Sequence, residues 1–164
     1  YSVLDESAQA YPNQVYTLFN DAIRTYGQVK DTADRVANFL VSAGIQKGDR
    51  VAIFLPNLPH YPAIFFGILK AGAVCVTCNP LYTASELNYQ LNDAGAKLVF
   101  CMDHPQLYPT TVAAVKDTGV ESVIICNVKS YLPKIKALIG GLLGKIPKAQ
   151  HHESGHLFFD EVVA

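Results

Sequence analysis

Two cysteines separated by two residues, Cys75 and Cys78, have the spacing of half a zinc site or of a redox-active dithiol. A structural zinc site needs a second pair, and the other cysteines, Cys101 and Cys126, are isolated in the sequence. A reactive dithiol normally lies at a helix start, which lowers a thiol pKa, whereas this pair follows an apolar run typical of a strand. Three of the four cysteines lie within such apolar runs, so we predict that they are small buried side chains. Free thiols of this kind indicate that the protein occupies a reducing compartment.

Four of the five histidines lie where metal binding or proton transfer is a candidate role. His151, His152 and His156 lie close together in a polar stretch, which indicates either a metal site or, as we favour, a solvated loop. His60 precedes a strongly apolar segment. A catalytic imidazole needs a nearby carboxylate or nucleophile, and the sequence around His60 shows neither, so a polar residue at a helix start is predicted.

The glycine-rich segment Gly140–Ile146 superficially resembles a triphosphate-binding loop. The first required glycine falls on Ile139, and Ile146 stands where a Ser or Thr should bind magnesium, so the match fails. No Gly-x-Gly-x-x-Gly follows a strand-like run either. We therefore assign no catalytic, cofactor-binding or metal-binding residue to this chain.

The elements that would position these residues alternate between short apolar strands and helical stretches. This alternation predicts an α/β fold with a mostly parallel sheet and helices on both faces. The predicted strands are 50–55, 73–77, 97–101 and 122–126, and the predicted helices are 2–10, 28–43, 60–71, 84–94 and 110–116.

Local signals fix several boundaries. Asn20-Asp21 between two β-prone runs indicates a hairpin. Thr83 and Glu86 form a capping box that opens a helix, and Gly95 ends that helix. The final stretch, 156–163, is predicted to return to the domain and begin another helix.

Composition excludes several classes of function. The chain has 164 residues, enough for one α/β domain, and 13 basic against 14 acidic side chains, which argues against nucleic acid as a partner. No apolar run approaches the ~20 residues that span a bilayer. The first residues lack the basic start and apolar core of a secretory signal, so a cytoplasmic location is expected. Because the chain starts without Met, we expect an excised part of a longer protein.

Residues 129–152 differ in composition from the rest of the chain, which indicates a basic and apolar insert. Five lysines and no acidic residue occur between 127 and 150. A helix over Tyr131–Leu143 would combine an apolar side with Lys134 and Lys136, a pattern that suits peripheral contact with an anionic membrane through 129–148. Two consecutive glycines weaken this helix, and an ordinary surface loop is the favoured alternative.

Four motifs in order make the chain recognisable: Thr25-Tyr26-Gly27-Gln28, Lys47–Asn57, Leu69–Val74 and Asn79–Thr83. In this spacing they resemble the N-terminal region of adenylate-forming enzymes, the AMP-binding acyl-CoA synthetase superfamily. The segment Asn79–Lys97 and the basic insert are most similar to long-chain fatty-acid–CoA ligases. Aryl-CoA ligases and other adenylation enzymes share much of the pattern.

The resemblance implies that fatty acid, ATP with Mg²⁺, and coenzyme A react through an acyl-adenylate to acyl-CoA, AMP and pyrophosphate. The family's Ser/Thr/Gly-rich Pro-Lys-Gly loop, its Tyr-Gly-x-Thr-Glu motif, its ribose-binding aspartate and its catalytic lysine have no match in these residues. The chain is therefore expected to be one α/β subdomain, 1–164, that is inactive alone and binds none of these cofactors. The alternative is a non-catalytic module of the same fold that binds acyl chains or a protein.

The turns of these motifs have structural explanations. Gly48 and Gly72 would permit tight turns into strands, and Arg50 is expected to pair with a nearby carboxylate. Some family members hold a coenzyme A phosphate with arginines just after the strand equivalent to 97–101. Residues 103–111 contain no Arg or Lys, which leaves that contact without a candidate.

Overall fold

The structure is a computed structural model that describes residues 1–132 and 146–164. Its helices are α1 (Ser2–Ala10), α2 (Tyr26–Ser42), α3 (His60–Lys70), α4 (Ala84–Ala94), α5 (Leu107–Ala114) and α6 (Phe159–Val162), with a 3₁₀ turn at Val128–Tyr131. Its strands are β1 (Val15–Phe19), β2 (Ala22–Thr25), β3 (Arg50–Phe54), β4 (Val74–Thr77), β5 (Ala96–Met102), β6 (Ser122–Cys126) and β7 (Leu157–Phe158).

The main sheet has five parallel strands in the order β4-β3-β5-β6-β7. One face packs against α2, α3 and α6, and the other against α4 and α5. The central strands are almost wholly buried, as expected for a parallel sheet covered on both faces. The predicted α/β fold is therefore confirmed, and the C-terminal stretch does return as a strand followed by a helix.

Strands β1 and β2 form a separate antiparallel hairpin. Asn20 and Asp21 both have positive φ, 47° and 67°, as a two-residue hairpin turn requires. Asn and Asp tolerate this conformation better than other residues with a side chain. The hairpin prediction is confirmed.

Capping boxes set the starts of two helices. Thr83 and Glu86 cap α4 reciprocally, and Gly95 ends it with φ 62°, as predicted. A second box, Thr25 with Gln28, opens α2 at Tyr26, two residues before the predicted start. The sequence prediction missed that box because Tyr26 and Gly27 interrupt the apolar periodicity.

Helix α5 also differs from its prediction over 110–116. It begins at Leu107, which places Pro109 in the first turn, where a missing N–H costs little. It ends at Ala114, and Asp117 follows with φ 59°, which is incompatible with a continuing helix.

Arg50 does not pair with a carboxylate in the described part of the chain. Its Nε donates to the Ala94 carbonyl at 2.7 Å, at the end of α4. Lys97 instead forms the ion pair with Asp49, at 2.9 Å, and Asp49 also accepts from the Gln46 backbone N–H. Arg50 thus provides donors to a helix C-terminus, a role that a long cationic side chain suits.

The predicted helix over Tyr131–Leu143 falls mostly outside the described residues. Of the part that is described, Tyr131 ends the 3₁₀ turn and Leu132 is extended, so an α-helix does not begin at Tyr131. Among the described helices, none is long and apolar enough to cross a bilayer.

Candidate functional site

The carboxyl edge of the sheet is the expected place for a ligand. The chain leaves β3 toward β4 on one side and later adds β5 on the other, so the strand order reverses between β3 and β5. In open α/β sheets ligands bind in the crevice outside the carboxyl ends of the strands at this switch point. Here the crevice is bordered by residues 55–59 after β3 and residues 103–106 after β5.

Asp103, directly after β5, organises one side of this edge. The residue is only 7% exposed, and its Oδ1 accepts the Ala149 N–H at 2.7 Å and a hydrogen bond from His152 Nε2 at 3.0 Å. The Asp103 N–H donates to the Cys126 carbonyl at 2.8 Å, at the end of β6. Asp103 therefore fastens the segment that follows the insert onto the sheet.

Tyr108 on α5 makes the second attachment of this segment. Its hydroxyl accepts the Glu153 N–H at 2.7 Å and lies 2.8 Å from His156 Nδ1. Burial raises the pKa of Tyr108 and lowers the pKa of His156. Both directions favour a neutral phenol hydrogen-bonded to a neutral imidazole.

The three neighbouring histidines thus have different environments, and the prediction of a solvated loop is correct only for His151. His151 is exposed, whereas His152 and His156 are partly buried against Asp103 and Tyr108. The described residues contain no group of three or more His, Cys, Asp or Glu side chains that could hold a metal ion. His152 and His156 instead form hydrogen bonds within the chain, to Asp103 and Tyr108.

His60 lies on the other side of the edge and begins α3, as predicted, and the structure shows that it is fully buried. Its ring contacts Tyr131 at 4.4 Å and Phe159 at 4.9 Å between centroids, both edge-on. Neither ring nitrogen has a hydrogen-bond partner of ordinary geometry in the described residues. Burial lowers the pKa of His60 to about 3, the charge of Arg24 acts in the same direction, and the Asn127 backbone acts in the opposite one.

The four cysteines are free thiols, and three of them are buried. Burial raises the pKa of Cys75 to about 12, of Cys78 to about 11 and of Cys101 to about 12, and it also raises the pKa of Cys126. A buried neutral thiol is a poor nucleophile and a poor metal ligand. These side chains therefore act as small apolar groups, and Cys75, the half-buried one, lies on the outermost strand β4.

A crevice of about 260 Å³ lies beside the start of α3. Its walls come from the hairpin, through Thr17–Phe19, and from Asn57–Pro59, Tyr61 and Pro62. The described walls are mainly apolar and include no cationic side chain that would bind a phosphate. The carboxyl edge therefore has apolar surface, and the polar side chains that form hydrogen bonds there have their partners within the same chain. Among the described residues, no nucleophile is paired with a base there.

The residues that sequence reasoning missed are Asp103 and Tyr108. Asp103 could have been found as an acidic residue directly after a buried strand, at the edge where ligands bind. Tyr108 had no such signal, because its partners lie 45 and 48 positions away in the chain.

Comparison with known proteins identifies the relatives of this chain. The profile of the family described as "AMP-binding enzyme" matches residues 4–141. The long-chain-fatty-acid–CoA ligase of Bacillus subtilis is 35% identical over 160 residues, which is 98% of this chain and 27% of that protein. The corresponding ligase of Salmonella typhimurium is 33% identical over 147 residues, 89% of this chain and 26% of its own length.

Solved structures share the fold. A fatty acyl CoA synthetase of Mycobacterium tuberculosis is 30% identical with a TM-score of 0.64, covering 76% of this chain and 26% of that one. A benzoate CoA ligase of Burkholderia xenovorans is 21% identical with a TM-score of 0.72, covering 93% of this chain and 29% of its own. The chain thus spans about a quarter of the length of these proteins.

Proposed function

This chain belongs to the AMP-binding enzyme family, and we propose that it is the N-terminal α/β portion of an ATP-dependent long-chain fatty acid–CoA ligase. The observation that carries the proposal is the similarity to the Bacillus subtilis ligase along 98% of the chain. The four motifs in register support the same assignment.

In the proposed enzyme a fatty acid carboxylate attacks the α-phosphate of ATP to give acyl-adenylate and pyrophosphate. The thiol of coenzyme A then displaces AMP and forms the thioester. Mg²⁺ and cationic side chains would offset the negative charge on the phosphates. The described walls of the crevice beside α3 carry no cationic side chain, so we assign this portion a scaffold role and place phosphate handling elsewhere in the enzyme.

The proposal is tested by expressing the complete coding sequence and measuring AMP release with palmitate, octanoate and benzoate, each with coenzyme A. We expect turnover with palmitate to exceed turnover with benzoate. The 164-residue chain assayed in parallel should release no AMP. Preference for benzoate would favour an aryl-CoA ligase, and absence of turnover with every acid would contradict the ligase assignment.

Calorimetry separates the ligase portion from a non-catalytic binding module. We expect the 164-residue chain to bind ATP negligibly, because its described crevices lack a phosphate-binding loop. Tight binding of free fatty acid by this chain, together with an inactive full-length protein, would indicate the binding module instead.

As the alternative to the favoured surface loop, we propose that residues 129–148 make peripheral contact with an anionic membrane. The support is the excess of five lysines with no acid in this stretch, each basic group near such a surface contributing about 1 kcal/mol. Co-sedimentation with phosphatidylserine vesicles should fall when Lys134 and Lys136 are both replaced by Glu. The matched control replaces Lys47 and Lys116 by Glu; an equal loss in both variants would refute a local contact.

A further inference from the structure

The C-terminal return, defined as residues 149–162, has few backbone hydrogen bonds to the rest of the described structure. Its strand β7 pairs with β6 at two positions, Leu157 with Ile124 and Phe158 with Ile125, and the helix α6 that follows has four residues. Elements with few backbone bonds open at a lower free energy than the core of the same domain. Side-chain contacts must therefore supply most of the attachment.

One of these contacts joins His156 of the return to Tyr108 of α5. The Tyr108 oxygen accepts the Glu153 N–H at 2.7 Å, so its own proton is available to His156 Nδ1, 2.8 Å away. Nδ1 accepts that proton only in the neutral Nε2–H form of the imidazole, because both ring nitrogens of a protonated histidine are donors. Burial lowers the pKa of His156, which favours the neutral form. Proton uptake by His156 therefore removes a hydrogen bond that holds the return.

His60 lies beneath the other end of the return. Phe159, the first residue of α6, is 2% exposed and packs edge-on against the imidazole, with 4.9 Å between ring centroids. Burial is the main reason that the pKa of His60 is lowered to about 3. When α6 leaves the sheet, the ring loses this cover and gains water, so its pKa rises toward the value of about 6.5 for an exposed histidine. The released form of the return therefore binds a proton that the attached form excludes.

Charged and titratable groups face His60 from the elements packed around it. The Arg24 guanidinium of β2 opposes a proton on the ring, and the Asn127 backbone after β6 favours one. Tyr131 of the 3₁₀ turn faces the ring as a neutral phenol, because burial raises its pKa to about 12. On α6, the exposed Asp160 contacts the Asn127 side chain at 3.5 Å. Burial is the largest of these influences on His60, so loss of its cover controls the proton.

The groups around His156 act in both directions. The Glu153 carboxylate raises the pKa of His156 and the neighbouring His152 lowers it, while burial has the largest effect. His152 itself lies 3.0 Å from Asp103 Oδ1, so a proton on His152 turns this hydrogen bond into an ion pair and strengthens it. A partly exposed ion pair contributes less than the fully buried His60. The net effect of acid is therefore release of the return.

We propose that the C-terminal return is a proton-sensitive strap that leaves the sheet in acid before the rest of the domain unfolds. His60 and His156 are held neutral only while the return is attached, so the attached form is favoured above about pH 6.5 and becomes less populated as the pH falls. Between pH 7.5 and pH 5, His60 alone should raise the ratio of released to attached form about 30-fold. The contacts that carry this inference lie within the chain and do not depend on the ligase assignment.

Hydrogen exchange of the complete protein, read by mass spectrometry at pH 7.5 and pH 5, tests the proposal. Protection factors are compared, since they remove the intrinsic pH dependence of exchange. We expect protection across 149–162 to fall about 30-fold, while protection across Arg50–Phe54 in the central strand β3 falls far less. Unchanged protection across 149–162 would overturn the proposal, as would equal falls in both stretches, which indicate unfolding of the whole domain.

Histidine variants identify the groups that take up the protons. His60→Phe keeps a ring beneath Phe159 but cannot be protonated, so protection across 149–162 should lose most of its pH dependence. His156→Gln should remove a smaller part of it, and this variant provides the test if His60→Phe folds poorly. The matched control is His151→Gln, at an exposed position of the same segment, which should keep the full pH effect. A pH effect that is unchanged in both His60→Phe and His156→Gln would refute the role of these two side chains and with it the proposal.

Discussion

The buried imidazole of His60 makes stability depend on pH in a predictable direction. Its pKa in the folded chain is about 3, whereas an exposed histidine titrates near 6.5. The unfolded chain therefore takes up the proton first as the pH falls. The stability that a neutral His60 allows is complete above about pH 6.5 and is lost progressively toward pH 3.

The magnitude follows from the two pKa values. Between pH 7.5 and pH 5 this single site should lower the free energy of unfolding by about 2 kcal/mol. Because the side chain is fully buried, this figure needs no discount for solvent screening. His156, whose pKa is also lowered, adds a smaller change of the same sign, so the contribution of His60 must be isolated by difference.

The variant His60→Phe isolates it, because a phenyl ring keeps the edge-on contacts with Tyr131 and Phe159 and cannot be protonated. Urea unfolding at pH 7.5 and pH 5, followed by circular dichroism since the chain lacks tryptophan, should show a smaller pH effect in the variant by about 2 kcal/mol. His151→Gln, at an exposed position, is the control and should behave as the unmodified chain. Equal pH effects in His60→Phe and the unmodified chain would refute the reasoning, as would an NMR titration that places the pKa of His60 near 6.

Two other predictions concern packing and the carboxyl edge. Gly67→Ala should lower the free energy of unfolding by about 1–3 kcal/mol, although alanine normally favours a helix, because the new Cβ would lie 2.6 Å from Val36 Cγ1. The loss is measured by thermal unfolding. The control in that experiment is Gly119→Ala, whose Cβ would have no atom within 4 Å. Asp103→Leu removes the acceptor of the buried Ala149 N–H and should cost about 1–3 kcal/mol and speed hydrogen exchange at Ala149. An Ala149 amide that exchanges no faster in this variant would show that Asp103 does not fasten this segment.

Elements with local causes could be predicted from the sequence. The capping box of Thr83 and Glu86, the Asn20-Asp21 turn and the strand Ser122–Cys126 all appear as expected. Each depends on hydrogen bonds or side-chain periodicity within a few residues, and those are visible in the sequence itself.

The candidate site was less predictable, because its contacts join distant parts of the chain. Asp103 meets His152 across 49 positions, and Tyr108 meets His156 across 48. Nothing in the polar stretch around His152 distinguishes a side chain that packs on the sheet from one that faces water. A polar residue at a helix start such as His60 is equally ambiguous until the neighbouring elements are placed.

The sequence by itself determined the class of fold and the family resemblance, because strand and helix periods and short motifs are encoded in neighbouring residues. Only the tertiary structure decided the strand order and the packing, which bury His60 and set Asp103 at the point where ligands are expected. The physical reason is that strand order depends on which apolar faces pack together, and several orders would satisfy the same alternation of strands and helices.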